Sequence, residues 1–305
     1  MSPASNGASC KLEAELNPIP DNALLHFVAL LDRSEGALGR FLQALELRSQ
    51  EKIRHGQWIA VERPRPCTFT DLAVGDWRFR LVFDPEGLAP AAQASVFPEE
   101  PTFEAKEIVT HHRGACLVFL TAQPETPGPP GQLHGSSPEG WSRFRKMADL
   151  VWAWLDAGAE LLCFPEGRVH LPRRVLLPLE PEQLSPEHAY LFLSNGVADQ
   201  SVSSGKRLVW VRTWGLAQFG LPDLASKLEL SGSPDSMEKV MKSLRLLLET
   251  LPPAMIREHG MLGAGGTVQV EEAVWRATGA PQRLPQSFLA SRFGVQLFEQ
   301  APTAI

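Results

Sequence analysis

The stretch that decides the fold is Leu208–Leu224, with the sequence LVWVRTWGLAQFGLPDL. It begins as an apolar strand at residues 208–211 and turns at Gly215, where glycine allows backbone conformations that other residues avoid. Aliphatic and aromatic side chains then continue to a second turn at Gly220. Large apolar side chains at the end of a strand usually fill the core, so we expect a structural role here in preference to an aromatic ligand cage. Replacement of Trp214 by alanine should therefore destabilise the fold.

The composition indicates a globular protein. The chain has 305 residues, of which 44% are hydrophobic and 21% charged, so it can bury a sizeable core. Its net charge of −6 disfavours nucleic acid and anionic membranes as partners, although an acidic surface also suits a basic protein partner. No apolar run approaches the length of a membrane span, and the polar start MSPASNGASCKLEAEL lacks the apolar core of a secretion signal. We expect a cytoplasmic protein.

The order of strands and helices predicts an α+β fold, with a mixed, largely antiparallel sheet layered with amphipathic helices. Two helices have the strongest patterns, Gly140–Ala157 and Asp235–Leu251. Short turns near Gly167 and Gly205 favour antiparallel pairing of the strands around them. For the second helix we expect one buried stripe, made of Met237, Val240, Met241, Leu244, Leu247, Leu248 and Leu251.

The chain has two segments that look unlike folded protein. Residues 1–20 are rich in Ser, Ala, Asn and Pro and are predicted to be disordered or loosely attached. Gln123–Glu139, QPETPGPPGQLHGSSPE, has the composition of a linker. It either separates two domains or forms a long loop inside one domain that covers residues 21–300.

One strand places two basic side chains on a single face. Asp76–Phe83 alternates apolar and polar residues, so Arg78 and Arg80 should share the face opposite to Trp77 and its apolar neighbours. Most such faces are simply solvated. Arg78 and Arg80 are nevertheless the candidate binding residues that the sequence offers.

No catalytic signature is present. Cys163, Glu166 and His170 could be arranged as a nucleophile with an acid and a base, but Cys163 lies in an apolar run, whereas a reactive thiolate needs an electropositive, partly exposed setting. His111 and His112 are adjacent, so on a helix they diverge by about 100° and cannot readily share a metal ion. We expect no metal site, no cofactor and no catalytic residues.

The stretch Thr213–Asp223, TWGLAQFGLPD, resembles the T-x-G-L-x-x-F-G-x-P-[DE] signature of an uncharacterised bacterial domain-of-unknown-function family, the one numbered 4261. A second segment, HGMLGAGGTV at residues 259–268, is similar to the glycine turn and strand near the end of that family. The resemblance spans most of residues 22–298 and implies that Gln123–Glu139 is an internal loop. It brings no activity with it. The matching signature residues are Trp214, Gly215, Leu216, Phe219, Gly220, Pro222 and Asp223.

Two functional hypotheses follow. The first is a non-catalytic cytoplasmic binding protein with a protein partner, of the kind that serves as an immunity or adaptor protein in bacterial toxin or secretion systems. It depends on the missing catalytic residues and on the acidic balance of charge. The second is an unrecognised, hydrolase-like enzyme that uses Cys163, Glu166 and His170.

Overall fold

The computed structural model describes residues 24–49, 51–61, 66–88, 93, 96, 102–122, 139–201, 207–219, 221–230, 235–257, 265–270, 273–278 and 295–300. The chain divides into two compact units that alternate along the sequence. The first unit comprises Met1–Thr126, Ala148–Pro165 and His170–Pro178, and the second comprises Pro127–Met147, Glu166–Val169 and Leu179–Ile305.

Three sequence expectations bear on this division. We expected a single domain over residues 21–300. The described chain divides into two compact units, and the single domain stays a prediction. Residues 1–20, expected to be loosely attached, lie outside the described residues. So do residues 123–138 of the expected loop, while its last residue, Glu139, is the first residue of a helix.

The first unit contains most of one sheet and the helices that cover it. Its elements, two of which cross the unit boundary (α3 and β8), are β1 (Leu24–Leu31), α1 (Ala37–Arg48), β2 (Ile53–His55), β3 (Ile59–Val61), β4 (Cys67–Val74), β5 (Trp77–Asp84), α2 (Phe103–His111), β6 (Gly114–Ala122), α3 (Glu139–Asp156), β7 (Ala159–Phe164), β8 (Val169–Pro172) and α4 (Arg173–Leu176).

This first sheet has the strand order β2-β4-β5-β6-β1-β7-β8, with β3 also paired to β4. Strand β1 lies between β6 and β7 and runs antiparallel to both, with Val28 opposite Leu117 on one side and Cys163 on the other. A central strand packed on both faces needs a largely apolar sequence, which explains LLHFVALL, where the buried His26 is the one polar residue. Strand β5, in contrast, alternates between buried and more exposed residues from Trp77 to Leu81, as the sequence predicted, and is then buried through Phe83.

Aromatic rings fill the core of the first unit. The indole of Trp154 on α3 stacks on Phe41 of α1, with ring centres 4.3 Å apart, and is also parallel to Phe83 of β5 at 6.4 Å. All three side chains are almost completely buried. Trp154 is not part of the amphipathic stripe of α3, so this helix is buried over a wider arc than the stripe alone predicts.

The second unit is built on a second sheet. Its remaining elements are three 3₁₀ turns (Pro181–Gln183, Pro186–Phe192 and Leu216–Phe219), the strands β9 (Ser194–Ser201), β10 (Arg207–Trp214), β11 (Asp223–Leu230), β12 (Thr267–Val270), β13 (Ala273–Thr278) and β14 (Val295–Gln300), the helices α5 (Asp235–Arg245) and α6 (Leu251–Arg257), and a π-helical turn between these helices (Leu246–Thr250).

The strand order of the second sheet is β12-β13-β14-β11-β10-β9. Strands β11 and β14 are parallel, and the other neighbours are antiparallel. Both sheets are thus largely antiparallel and carry amphipathic helices, so the predicted α+β fold class is confirmed. Within the described part of the chain, no helix combines the length and apolar character needed to cross a bilayer.

Candidate functional site

The signature turn, defined here as residues 213–223, is a closely packed reversal between β10 and β11. Gly215 has φ +107°, and a Cβ atom on it would lie 2.7 Å from the Cα of Gly167 and 2.8 Å from the Phe192 carbonyl oxygen. The side-chain amide of Gln218 donates to that same carbonyl oxygen at 2.9 Å. Only glycine fits at position 215, both for its backbone conformation and for the space available.

A buried ion pair connects the two strands at the base of the signature turn. Nη2 of Arg212 donates to Oδ2 of Asp223 at 2.8 Å, and the two side chains are 0% and 4% exposed. The main-chain N–H of Leu216 donates to the other carboxylate oxygen at 3.2 Å. The carboxylate therefore closes the turn as well as pairing with the arginine, which is a structural task.

Trp214 is buried between charged and glycine residues. The guanidinium of Arg168 lies 4.0 Å from the centre of its ring and that of Arg212 lies 5.3 Å away, both within reach of a cation–π interaction. On the neighbouring strand, a Cβ on Gly196 would come within 2.0 Å of the indole. Arg168 itself has φ +53°, an unusual conformation that its surroundings must stabilise.

The remaining signature residues also serve the packing of the second unit. Leu216 and Phe219 are buried, and the Phe219 ring contacts Phe144 at 4.7 Å and Trp141 at 6.3 Å between ring centres. Pro222 is buried, whereas Gly220 lies outside the described residues. This packing agrees with a structural role for the signature and leaves no aromatic face of Phe219 open for a ligand cage.

The predicted binding residues Arg78 and Arg80 make contacts within their own hairpin. Arg80 forms two hydrogen bonds of 2.8 Å with the carboxylate of Asp71, directly opposite on β4, and lies 5.1 Å from the ring of Phe69. Arg78 donates to the carbonyl oxygen of Gly75 at 2.9 Å. Pairing of this kind stabilises an exposed hairpin without a ligand. A binding role for these arginines stays a prediction.

The candidate nucleophile Cys163 lies in the wrong environment for catalysis. Its side chain is fully buried on β7 in an apolar cluster with Val28 and Leu30. Burial alone raises the pKa of this thiol far above its usual range, so it stays protonated. Glu166 and His170 lie on the turn after β7 and on β8 and are both partly exposed. The enzyme hypothesis stays a prediction, and the burial of Cys163 argues against it.

The two adjacent histidines bond to nearby main-chain groups. Nε2 of His112 accepts from the N–H of Leu88 at 2.9 Å, and its Nδ1 lies 2.6 Å from the Val109 carbonyl oxygen. Burial is the main reason that the pKa of His112 is lowered, which favours the neutral ring that these two contacts require. His111 is exposed, with Nδ1 2.9 Å from the Glu107 carbonyl oxygen. Over the described ranges, no three His, Cys, Asp or Glu side chains group as metal ligands.

Helix α5 departs from its predicted packing. Val240 and Leu247 are buried as expected, but Met237 is 68% exposed and Met241 is 58% exposed, so the prediction of a single buried stripe was wrong. The apolar residues cover a wider arc of the helix than its buried side does. The helix is also not continuous, because a π-helical turn at Leu246–Thr250 separates α5 from α6.

Exposed and half-buried apolar residues form a second row, here named the methionine stripe: Met237, Met241 and Leu244 on α5, and Leu248 in the π-helical turn that follows it. Their spacing is four, three and four residues, which is the spacing of the contact line between two packed helices. Leu244 and Leu248 are half-buried, so exposure falls along the stripe towards its C-terminal end. The stripe lies beside the buried side of the helix and continues it towards solvent.

Charges beside the methionine stripe are balanced. Lys242 pairs with Glu238 at 3.1 Å, and Arg245 pairs with Glu249 at 3.3 Å, both one helical turn apart. Such exposed pairs contribute little to stability. Because the flanks carry no net charge from these pairs, a surface docked on the stripe would gain affinity chiefly by burying apolar area.

Comparisons of the chain with protein-family models, with curated proteins and with solved structures each found no match. The resemblance of the signature turn to a domain-of-unknown-function family therefore stays a prediction. The candidate site depends on the geometry of this chain alone.

Proposed function

We propose that the protein is a non-catalytic, cytoplasmic binding protein that holds a helix of a protein partner against the methionine stripe. The observation that carries this proposal is the pair of exposed methionines, Met237 and Met241, placed one helical turn apart on α5. Methionine is common on surfaces that bind other proteins, because its flexible, polarisable side chain adapts to a partner.

The spacing of the methionine stripe favours a helix as the occupant. Met237, Met241 and Leu244, four and three positions apart on the regular helix, form one nearly straight row into which the side chains of a second helix can interdigitate. The ion pairs Glu238–Lys242 and Arg245–Glu249 lie along one side of the stripe and can form the polar border of such a contact on that side. The π-helical turn after Arg245 ends the regular part of the row.

The biological setting is proposed from composition. An acidic chain with net charge −6 and no catalytic signature suits an immunity or adaptor protein that blocks or carries a basic partner in a bacterial toxin or secretion system. The fully buried Cys163 supports the non-catalytic part of this proposal, since it removes the best nucleophile of the alternative.

The test compares two double variants of the full chain. Met237→Gln/Met241→Gln removes apolar surface from the methionine stripe, and Glu238→Gln/Lys242→Gln is the matched control, with the same number of glutamines on the same helix and no change in net charge. The wild-type protein is used as bait in cells of the source organism, and the captured partner is purified. Its dissociation constant is then measured for wild type and both variants.

We expect the methionine variant to bind the partner at least about tenfold more weakly. Burial of the two methionine side chains in the complex should contribute more than about 1.4 kcal/mol to binding, as estimated from the apolar surface area removed from water. The control should bind within about twofold of wild type. Equal affinity of all three proteins would rule out the stripe as the docking surface. Sedimentation of the purified chain is the second readout. If the wild type is a dimer and the methionine variant is a monomer, the helix docked on the stripe belongs to a second copy of this chain and not to a different protein.

A further inference from the structure

A surface depression of about 750 Å³ in the first unit gathers three arginines. It lies where β1 leads into α1 and where β6 begins. Its lining residues are Arg33, Ser34, Glu35, Gly36, Arg40 and Arg113. The site is independent of the methionine stripe, because every lining residue belongs to the first unit.

The Arg40 side chain is held in place by main-chain carbonyl oxygens. Its Nε donates to the carbonyl oxygen of Ala157 at 3.1 Å, and its Nη1 donates to the main-chain carbonyl oxygen of Glu35 at 2.9 Å. Both acceptors are neutral carbonyl oxygens, so these two contacts bring no counter-charge to the guanidinium. A cation fixed in this way needs little reorganisation when an anion binds.

The other two arginines complete the positive depression. The main-chain N–H of Arg113 donates to the carbonyl oxygen of Leu31 at 2.9 Å, which fixes the start of β6 beside the end of β1. Its side chain is exposed and makes no hydrogen bond or ion pair with the residues that the structure describes. Arg33 forms an ion pair with Asp32 at 3.7 Å, with both side chains largely exposed, a geometry that contributes little.

The start of α1 adds to the positive potential of the three arginines. By itself, it would not form an anion-binding site. Gly36 precedes the helix with φ +66°, no side chain caps the first turn, and no acidic residue lies within it. The main-chain N–H of Ala37 donates to the carbonyl oxygen of Ser34 at 3.2 Å, so the positive end of the helix dipole, and not this first N–H group, is what the helix start adds. The one lining carboxylate, on Glu35, opposes this charge.

We propose that this depression binds the phosphate group of a small phosphate monoester. Three arginines and one glutamate line this depression on a protein of net charge −6, so the local charge is opposite to that of the molecule as a whole. The planar fork of a guanidinium matches phosphate oxygens with two parallel hydrogen bonds. The depression is wide enough for the phosphate and for part of the group that carries it.

The test is calorimetric titration of the full chain with inorganic phosphate and with glycerol 3-phosphate at constant ionic strength. Arg113→Gln and Arg33→Gln should each weaken binding about fivefold or more, since each removes a charge-assisted contact. Arg54→Gln is the matched control: Arg54 is an exposed arginine on β2, outside the depression, and its loss should change affinity less than about twofold. Thermal unfolding checks that each variant is folded.

Glu35→Gln gives a test of opposite sign. Removing the carboxylate of Glu35, the only one among the described lining residues, should strengthen phosphate binding several-fold, which a variant that merely disturbs the fold would not do. The proposal is overturned if the wild-type chain shows no saturable binding, or if Arg54→Gln weakens binding as much as Arg113→Gln does. Binding to phosphatidate vesicles that depends on Arg113, without binding of glycerol 3-phosphate, would overturn the soluble ligand in favour of a lipid headgroup.

Discussion

The signature turn and helix α5 use their unusual residues in opposite ways. The turn carries the most distinctive sequence of the chain, yet its tryptophan and aspartate are buried, and both contact the buried Arg212 at its base. Helix α5 has an ordinary amphipathic sequence, yet it leaves two methionines exposed. A distinctive motif can thus reflect the packing needs of a tight turn. Exposed apolar residues can in turn come from a sequence pattern that predicts burial.

The largest effect should come from breaking the buried ion pair of the turn. Asp223→Ala leaves the guanidinium of Arg212 buried without its counter-charge and should lower the free energy of unfolding by about 3–5 kcal/mol. The control is Asp71→Ala, which breaks the Arg80 pair at a carboxylate that is 60% exposed and should cost about 1 kcal/mol or less. Denaturant titrations measure both losses, and similar values would show that burial of the pair does not matter.

The second prediction separates backbone strain from crowding. Gly215 and Gly158 have nearly the same φ, +107° and +104°, but a Cβ at Gly158 would meet no atom within 4 Å. Gly158→Ala should therefore cost only the strain of the left-handed region, about 1–2 kcal/mol. Gly215→Ala adds the clash with Gly167 and Phe192 and should cost at least about 1 kcal/mol more. Equal costs would contradict the close packing of the turn.

The third prediction concerns the exposed side of α5. Met237→Gln/Met241→Gln should change the free energy of unfolding by no more than about 0.5 kcal/mol per site, because both side chains are already largely in solvent. Leu247→Ala in the π-helical turn, where the side chain is fully buried, should cost about 2–5 kcal/mol. A large loss in the methionine variant would restore the original expectation of one buried stripe.

The smallest effect is a dependence on pH. The guanidinium of Arg257, followed by the Ser185 hydroxyl, lowers the pKa of Glu187 to about 2. A carboxyl with a depressed pKa in the folded state stabilises the protein above its ordinary pKa of 4.5, and the contribution is lost as pH falls from there towards 2. The pair is half exposed, so its contribution should stay under about 1 kcal/mol. The difference in stability between wild type and Glu187→Gln should therefore shrink from pH 5 to pH 3.

The sequence was sufficient for elements whose pattern is local. The continuous apolar run of β1 and the strong stripe of α3 predicted two central pieces of the first unit, because burial on both faces or on one face leaves a direct mark on residue order. The alternation in β5 was equally direct. The mixed pairing of β11 with β14 had no such local mark.

The contacts of the candidate sites could not be predicted in the same way. Arg212 and Asp223 pair only because β10 and β11 are antiparallel neighbours in one register, and residue order alone does not fix that register. Arg33 and Arg113 come together through the pairing of β1 with β6. For α5, the sequence gives the apolar positions but not how much of the helix surface the sheet covers. Helix α5 has more apolar residues than one buried helix face can hold, and this excess was the sequence signal that some of them would be exposed.

The most direct test of the central claim measures stability and partner affinity together for two variants. Trp214→Ala should lower the free energy of unfolding by about 3–5 kcal/mol, because Trp214 is buried in the signature turn. Met237→Gln/Met241→Gln should keep the stability of wild type within about 1 kcal/mol and bind the captured partner at least about tenfold more weakly. An unchanged unfolding transition for Trp214→Ala, together with full partner binding by the methionine variant, would contradict the account.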